Sequence, residues 1–229
     1  MMNIAENFAR VKENVAQAAV RSGRRPEDIE LIVVTKFVNI ARIDEAVKAG
    51  ARSVGENRAQ ELTEKLEYFN SVGVVKNFIG QLQTNKVKYI VGNVSLIQSV
   101  DRLELAREIS RRASAAGIVQ DVLVEVNIGG EEQKGGAASD GAAEFIRIIS
   151  AMPGIGVKGI MCVPPHVGEA DVRKYFAQMR KIFEDIKKQE LENVEMKHLS
   201  MGMSGDYTAA IEEGSNMVRV GTAIFGPRY

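Results

Sequence analysis

The sequence predicts an α/β fold: a single (β/α)8 TIM barrel spanning residues 1–229, with an extra helix at its N-terminus. Three observations carry that prediction. Eight short strand-like segments occur, and seven of them run into a helical pattern; strict β-then-α order implies parallel strands. The chain has 229 residues, near the roughly 250 typical of such barrels. The alternative, an open doubly wound sheet, would show a Gly-rich phosphate turn after its first strand, and neither G-x-G-x-x-G nor G-x-x-x-x-G-K-[ST] occurs there.

The elements follow in order. From residue 3 to about 22, Ile4, Phe8, Val11, Val15, Ala18 and Ala19 recur at helical spacing. "RSGRRPED" breaks that helix with Gly and Pro. "LIVVT" reads as a strand, followed by helical "NIARIDEAVKAG" with Gly50 as its C-cap. "ARSVGEN" precedes "RAQELTEKLEYF", and "KNFIG" precedes "QLQTNKVKYIVG". "VSLIQSV" precedes "DRLELAREISRRASAAG", for which Asp101 is the expected N-cap. "DVLVEVNI" leads through a Gly-rich loop to "GAAEFIRIISAM". "GVKGIMCV" leads past Pro164 and Pro165 to "EADVRKYFAQMRKIFEDIKKQ". "EMKHLSM" precedes "DYTAAIEEG", and "MVRVGTAIFG" closes the chain with a last short turn.

Composition bounds the function. Thirty basic and 30 acidic side chains give a formal net charge of zero, so no basic footprint for nucleic acid is expected. A single cysteine, Cys162, rules out an internal disulfide. With nothing resembling a signal peptide, a cytoplasmic location is expected. No apolar run is long enough to span a bilayer, so no membrane partner is expected. Trp is absent, so the core is aliphatic. His166 and His198 with one cysteine do not suggest a zinc site.

In a barrel of this kind chemistry sits at the C-terminal ends of the strands. Those ends carry Lys36; Glu56 and Asn57; Gln81 and Gln83; Glu125 and Asn127; Cys162; Ser200 and Ser204; and Arg219, Gly221 and Thr222. Strand parity places Ile32, Val34 and Lys36 on one face. An inward Lys36 would be partly desolvated, which favours the neutral amine that attacks a carbonyl to form an imine. The plainer alternative is a solvated lysine at a strand end. Arg219 lies between valines and needs an acceptor: a carboxylate, a phosphate or a ring nitrogen. A structural pair with Glu125 would also satisfy it. "SMGMSGD" and "RVGT" supply hydroxyls, glycines and backbone N–H groups, with a helix expected from about Ser204 whose amides would favour an anion. Simple N-capping by Ser204 is compatible with the same pattern. Amine, phosphate site and guanidinium together describe pyridoxal phosphate; a carbonyl sugar phosphate fits two of the three parts and leaves Arg219 less well explained.

The sequence resembles the pyridoxal phosphate homeostasis protein family, relatives of the N-terminal barrel of alanine racemase. The likeness runs from about residue 3 to the end and rests on "VTKF", "GENRAQE" from Gly55, "FIGQLQTNK" from Phe78, "HLSMGMSGDYTAAIEEGS" from His198 and "VRVGTAIFG" from Val218. It implies a covalent aldimine on Lys36, phosphate contacts from Ser204, Gly221 and Thr222, Ser200 and Asn57 close to the cofactor, and Arg219 facing the pyridine nitrogen. An arginine only donates, so that nitrogen would stay unprotonated and the ring would be a weak electron sink. Departures from the family pattern are Asn77, Asn216, Cys162 in "MCVPP" and the loop "NIGGEEQKGG". Alanine racemase has a further β domain that supplies a second acid/base tyrosine; no such domain is expected in this sequence. The expectation is therefore a monomeric, non-catalytic carrier with apo pyridoxal-phosphate enzymes as recipients. The alternatives are a racemase with a cryptic second base, for which Tyr207 and Cys162 lie near the expected mouth, and a Schiff-base aldolase.

Overall fold

The computed structural model describes residues 3–131, 133 and 135–227. Glu132 and Lys134 of the loop after the fifth strand, and Tyr229 at the expected chain end, lie outside the described residues. The strands are β1 (Glu30–Val34), β2 (Ser53–Glu56), β3 (Val75–Phe78), β4 (Leu96–Val100), β5 (Gln120–Asn127), β6 (Ala137–Ala138), β7 (Ile155–Met161), β8 (Val194–Ser200) and β9 (Met217–Val220). All but β6 form one ring of parallel strands, closed by pairing of β4 with β5 and of β9 with β1. The two-residue β6 pairs with β5 outside that ring. This is the expected (β/α)8 barrel.

Period-2 alternation sorts the side chains. Ile32, Leu96, Leu123, Met161 and Met217 form a small apolar cluster of their own inside the barrel. Their neighbours Val33, Val54, Ile97 and Val124 belong to the larger layer that packs against the helices. Burial of each such aliphatic side chain stabilises by about 1.5–3 kcal/mol.

Helix α1 (Ile4–Arg21) buries the six apolar residues its spacing singles out, together with Asn7. It is tied to the chain's last elements by Asn7 Nδ2, which donates to the Ile224 carbonyl at 3.0 Å. The remaining helices are α2 (Ile40–Lys48), α3 (Ala59–Val72), α4 (Leu103–Ala115), α5 (Ala142–Ser150), α6 (Glu169–Lys187), α7 (Tyr207–Glu212) and α8 (Thr222–Phe225). None is long and apolar enough to cross a membrane among the described residues.

Three local expectations are corrected. After β3 the chain forms a 3₁₀ helix, Thr84–Tyr89, with Val87 as its buried residue; one apolar anchor is too few for the stripe that holds a longer α-helix. Asp101 does not cap α4: Arg102 occupies that position, and its Nη1 donates to Asp101 Oδ1 at 2.6 Å. Helix α7 starts at Tyr207 rather than near Ser204, because Ser204 to Asp206 form a turn in which Met203 N–H donates to Asp206 Oδ1 at 2.6 Å.

Candidate functional site

β1 ends at Val34, and Lys36 occupies the turn that follows. The next residue, Phe37, has φ 61°, a left-handed conformation costly for a side chain of that size. The strain is held from behind by charges on β2 and α3. Thr35 Oγ1 donates to Glu56 Oε1 at 2.7 Å, Lys65 Nζ donates to the Thr35 carbonyl at 2.9 Å, and Phe37 N–H donates to Glu61 Oε2 at 2.6 Å. Lys65 in turn bridges Glu56 at 2.7 Å and Glu61 at 3.2 Å. Glu56 is fully buried, and burial pushes its carboxyl above the ordinary range against the pull of Lys65. The backbone on both sides of Lys36 is thereby clamped.

Lys36 is half-buried. Together with Val34, Arg42, Gly221 and Thr222 it lines a cavity of about 570 Å³. Phe37 and Val38 line it as well, so the turn after β1, rather than strand parity, brings Lys36 to this cavity. A Cβ on Gly221 would lie 3.2 Å from Val34 Cβ, so glycine lets the end of β1 close against the start of α8. Ser204 Oγ accepts from the N–H groups of Gly221 and Ala223, each at 3.2 Å. Ser204 therefore caps the last helix rather than its own. A second cavity of about 720 Å³, lined by residues such as Arg24, Arg180 and Lys197, contains none of the expected site residues.

Arg219 is 4% exposed and lies opposite Ile32 in the β9–β1 pairing. Its Nη1 donates to Ser200 Oγ at 2.6 Å and its Nη2 to the Cys162 carbonyl at 2.8 Å. Among the described residues no carboxylate comes within ion-pair distance of it, so the alternative of a direct Glu125 pair is not what the structure shows. Glu125 still feels the guanidinium: burial and Asp101 raise its carboxyl to about 7, while Arg219 pulls the other way. Asn57 follows β2, and its buried Oδ1 has no partner among the described residues. Its backbone is so close to Gly80 that a Cβ there would sit 2.3 Å from the Asn57 carbonyl oxygen. That contact joins the "GEN" and "FIG" motifs.

The walls of the Lys36 cavity include Gly221 and Thr222 but not Asn57, Ser200, Ser204 or Arg219. Ser204 joins it through Gly221, and Arg219 through β9. Cys162 directly follows β7 and its carbonyl holds Arg219, whereas Tyr207 lies on α7. Tyr207 is buried under α1, its hydroxyl accepting from Asn14 Nδ2 at 2.9 Å, and Cys162 is fully buried. The clamp residues Lys65 and Glu61 and the interior Gln98 escaped the sequence reading. A polar residue inside the apolar "VSLIQSV" was the one available signal for Gln98.

The barrel with an amine, a buried guanidinium and small hydroxyl-bearing loops at its strand ends defines a class. The family model described as "Alanine racemase, N-terminal domain" matches residues 7–229. Within that class the chain belongs to the pyridoxal phosphate homeostasis protein family. It is 43% identical to the pyridoxal phosphate homeostasis protein of Aquifex aeolicus, with 99% of each chain covered. It is 36% identical to that of Escherichia coli K12, covering 100% of this chain and 98% of the relative. Among solved structures it resembles PipY of Synechococcus elongatus with pyridoxal phosphate bound, at TM-score 0.83 and 30% identity, covering 97% of this chain and all of that one. An alanine racemase of Clostridium difficile, 15% identical at TM-score 0.75, shares the fold.

Proposed function

We propose that this chain binds pyridoxal 5'-phosphate, holds it as a Schiff base on Lys36 and takes part in intracellular pyridoxal phosphate homeostasis without turnover of its own. The observation that carries the reading is the clamped Lys36 turn, which shares one cavity with Gly221 and Thr222. The residues fit the cofactor. A half-buried amine suits the aldehyde, Ser204, Gly221 and Thr222 suit the phosphate, and the unpartnered Asn57 Oδ1 awaits a donor. Arg219 supplies a donor to the ring nitrogen, since its two contacts to Ser200 and Cys162 leave further N–H groups uncommitted. The relatives' names and the bound cofactor in PipY support the same reading.

The racemase alternative needs a proton carrier on each face of the substrate carbon, and the Tyr207 hydroxyl is engaged by Asn14 under α1. Glu125, raised to about 7, keeps it testable. We read the protein as a single cytoplasmic, monomeric barrel that delivers the cofactor to apo enzymes. The experiment is a pair of measurements. Lys36→Ala is expected to abolish the borohydride-sensitive visible band and weaken cofactor retention. The holo-protein incubated with amino acids in deuterated water is expected to show no enzymatic α-proton exchange; exchange at enzymatic rates would overturn the carrier reading.

A further inference from the structure

The barrel interior holds a continuous polar chain of which the cofactor reading uses only the first two members, Arg219 and Ser200. It begins at Arg219 and passes through Ser200, Gln98, Asn77 and Ser53 to Glu30 at the other end of the barrel. Nη1 of Arg219 donates to Ser200 Oγ at 2.6 Å, and Ser200 donates to Gln98 Oε1 at 2.7 Å. Gln98 Nε2 donates to Asn77 Oδ1 at 3.2 Å, Asn77 Nδ2 to Ser53 Oγ at 2.9 Å, and Ser53 to Glu30 Oε1 at 2.8 Å. Ser200 and Gln98 are fully buried, and Asn77 and Ser53 nearly so.

The direction of every bond is forced from below. Asn77 Nδ2 also donates to the Val54 carbonyl at 3.2 Å, and a carbonyl can only accept. Asn77 must therefore present Oδ1 to Gln98. Gln98 must answer with Nε2, which leaves Oε1 for Ser200. The single hydroxyl proton of Ser200 is then committed to Gln98, so its oxygen accepts from Arg219. All donors point one way, an arrangement in which successive bonds polarise one another. The guanidinium is fixed by two uncharged acceptors, Ser200 and the Cys162 carbonyl, so its plane is set without its charge being neutralised.

We propose that Gln98 is a positioning residue for Arg219, acting through the Ser200 hydroxyl to hold the guanidinium in the plane that meets the cofactor ring. The inference rests on the reading of Arg219 as the ring-nitrogen partner. The test compares the wild type, Gln98→Met, Ser200→Ala and the double variant, each loaded with pyridoxal phosphate. Two quantities are read: the rate at which the visible band is lost on dilution, and the pH midpoint of that band. Gln98→Met is expected to release the cofactor about tenfold faster, the worth of about one buried hydrogen bond, and to move the midpoint. In the Ser200→Ala background the same change is expected to stay within about twofold, since Gln98 acts only through that hydroxyl.

An unchanged rate and midpoint in Gln98→Met, or an equal factor in both backgrounds, would overturn the proposal. Should Gln98→Met fail to fold, Asn77→Leu removes the lock on the Gln98 amide from one step further away. It is expected to raise release about threefold in the same direction, and no change would count against the proposal. A third readout needs no cofactor. The Arg219 guanidinium proton resonances of the apo-protein are expected to be slowly exchanging in the wild type and broadened in Gln98→Met; equal line shapes would also overturn it. Failure of the cofactor reading itself would show separately, as a wild-type protein with no borohydride-sensitive band on Lys36.

Discussion

Lys36 stood out as a candidate because a lysine follows a β-rich apolar run one residue on, past Thr35, and Arg219 because a cation stands between valines in a buried strand. What holds them was not legible. Lys65 meets Thr35 from 30 residues away, and Gln98 meets Ser200 from 102 away; no local pattern encodes such contacts. Removing the clamp cation by Lys65→Met leaves the fully buried Glu56 carboxylate unpaired. The expected loss is about 3–5 kcal/mol in urea unfolding. The loss is expected to be larger at pH 8 than at pH 5, because a carboxyl already raised by burial can protonate at the lower pH. An equal loss at both pH values would mean that Glu56 is not the group left exposed.

Glu125 gives a second pH signature. Its carboxyl is raised to about 7 in the folded chain against an ordinary 4.5. Below pH 4.5 both folded and unfolded forms are protonated, and nothing is lost. Between 4.5 and 7 the unfolded form ionises first, so stability falls as pH rises, by about 3 kcal/mol once above 7. Burial lowers His198 to about 4, which works in the opposite sense as pH falls below 6.5. The comparison must therefore be made between variants. Glu125→Gln is expected to stabilise the apo-protein at pH 8 and to be neutral at pH 4.5, measured by denaturant midpoints.

At the scale of elements, periodicity served best where one face is long and apolar. The buried face of α1 was readable residue by residue, as was the inward and outward alternation of β1. Periodicity failed where a polar contact sets the boundary. The turn from Ser204 to Asp206 delays α7, and the Arg102 guanidinium takes Asp101 away from α4. The corrected turn matters to the site, because it frees the Ser204 hydroxyl to reach Gly221 and Ala223 at the start of α8. Helix α1 packs on that same region through Asn7 and Ile224. Phe8→Ala on its buried face is therefore expected to cost about 3–5 kcal/mol of stability, read by thermal or urea unfolding. A loss under 1 kcal/mol would show that α1 is an appendage and not part of the core.

At the scale of the molecule, strict β-then-α order predicted parallel strands, because parallel strands need crossovers and the crossovers are the helices, while chain length and the absence of a Gly-rich turn after β1 favoured closure over an open sheet. The same rule places the candidate site at the C-terminal ends of the strands, where Lys36, Asn57, Ser200 and Arg219 fall. The interior was not predictable in this way: an apolar cluster of Ile32, Leu96, Leu123, Met161 and Met217 shares the barrel with a polar chain running its length. The central claim is a covalent hold on pyridoxal phosphate at Lys36, and peptide mass spectrometry of the borohydride-reduced holo-protein tests it most directly. The account predicts a pyridoxyl group on the peptide containing Lys36, and no such adduct in Lys36→Ala. An unmodified Lys36 peptide, or an adduct confined to another lysine, would contradict it.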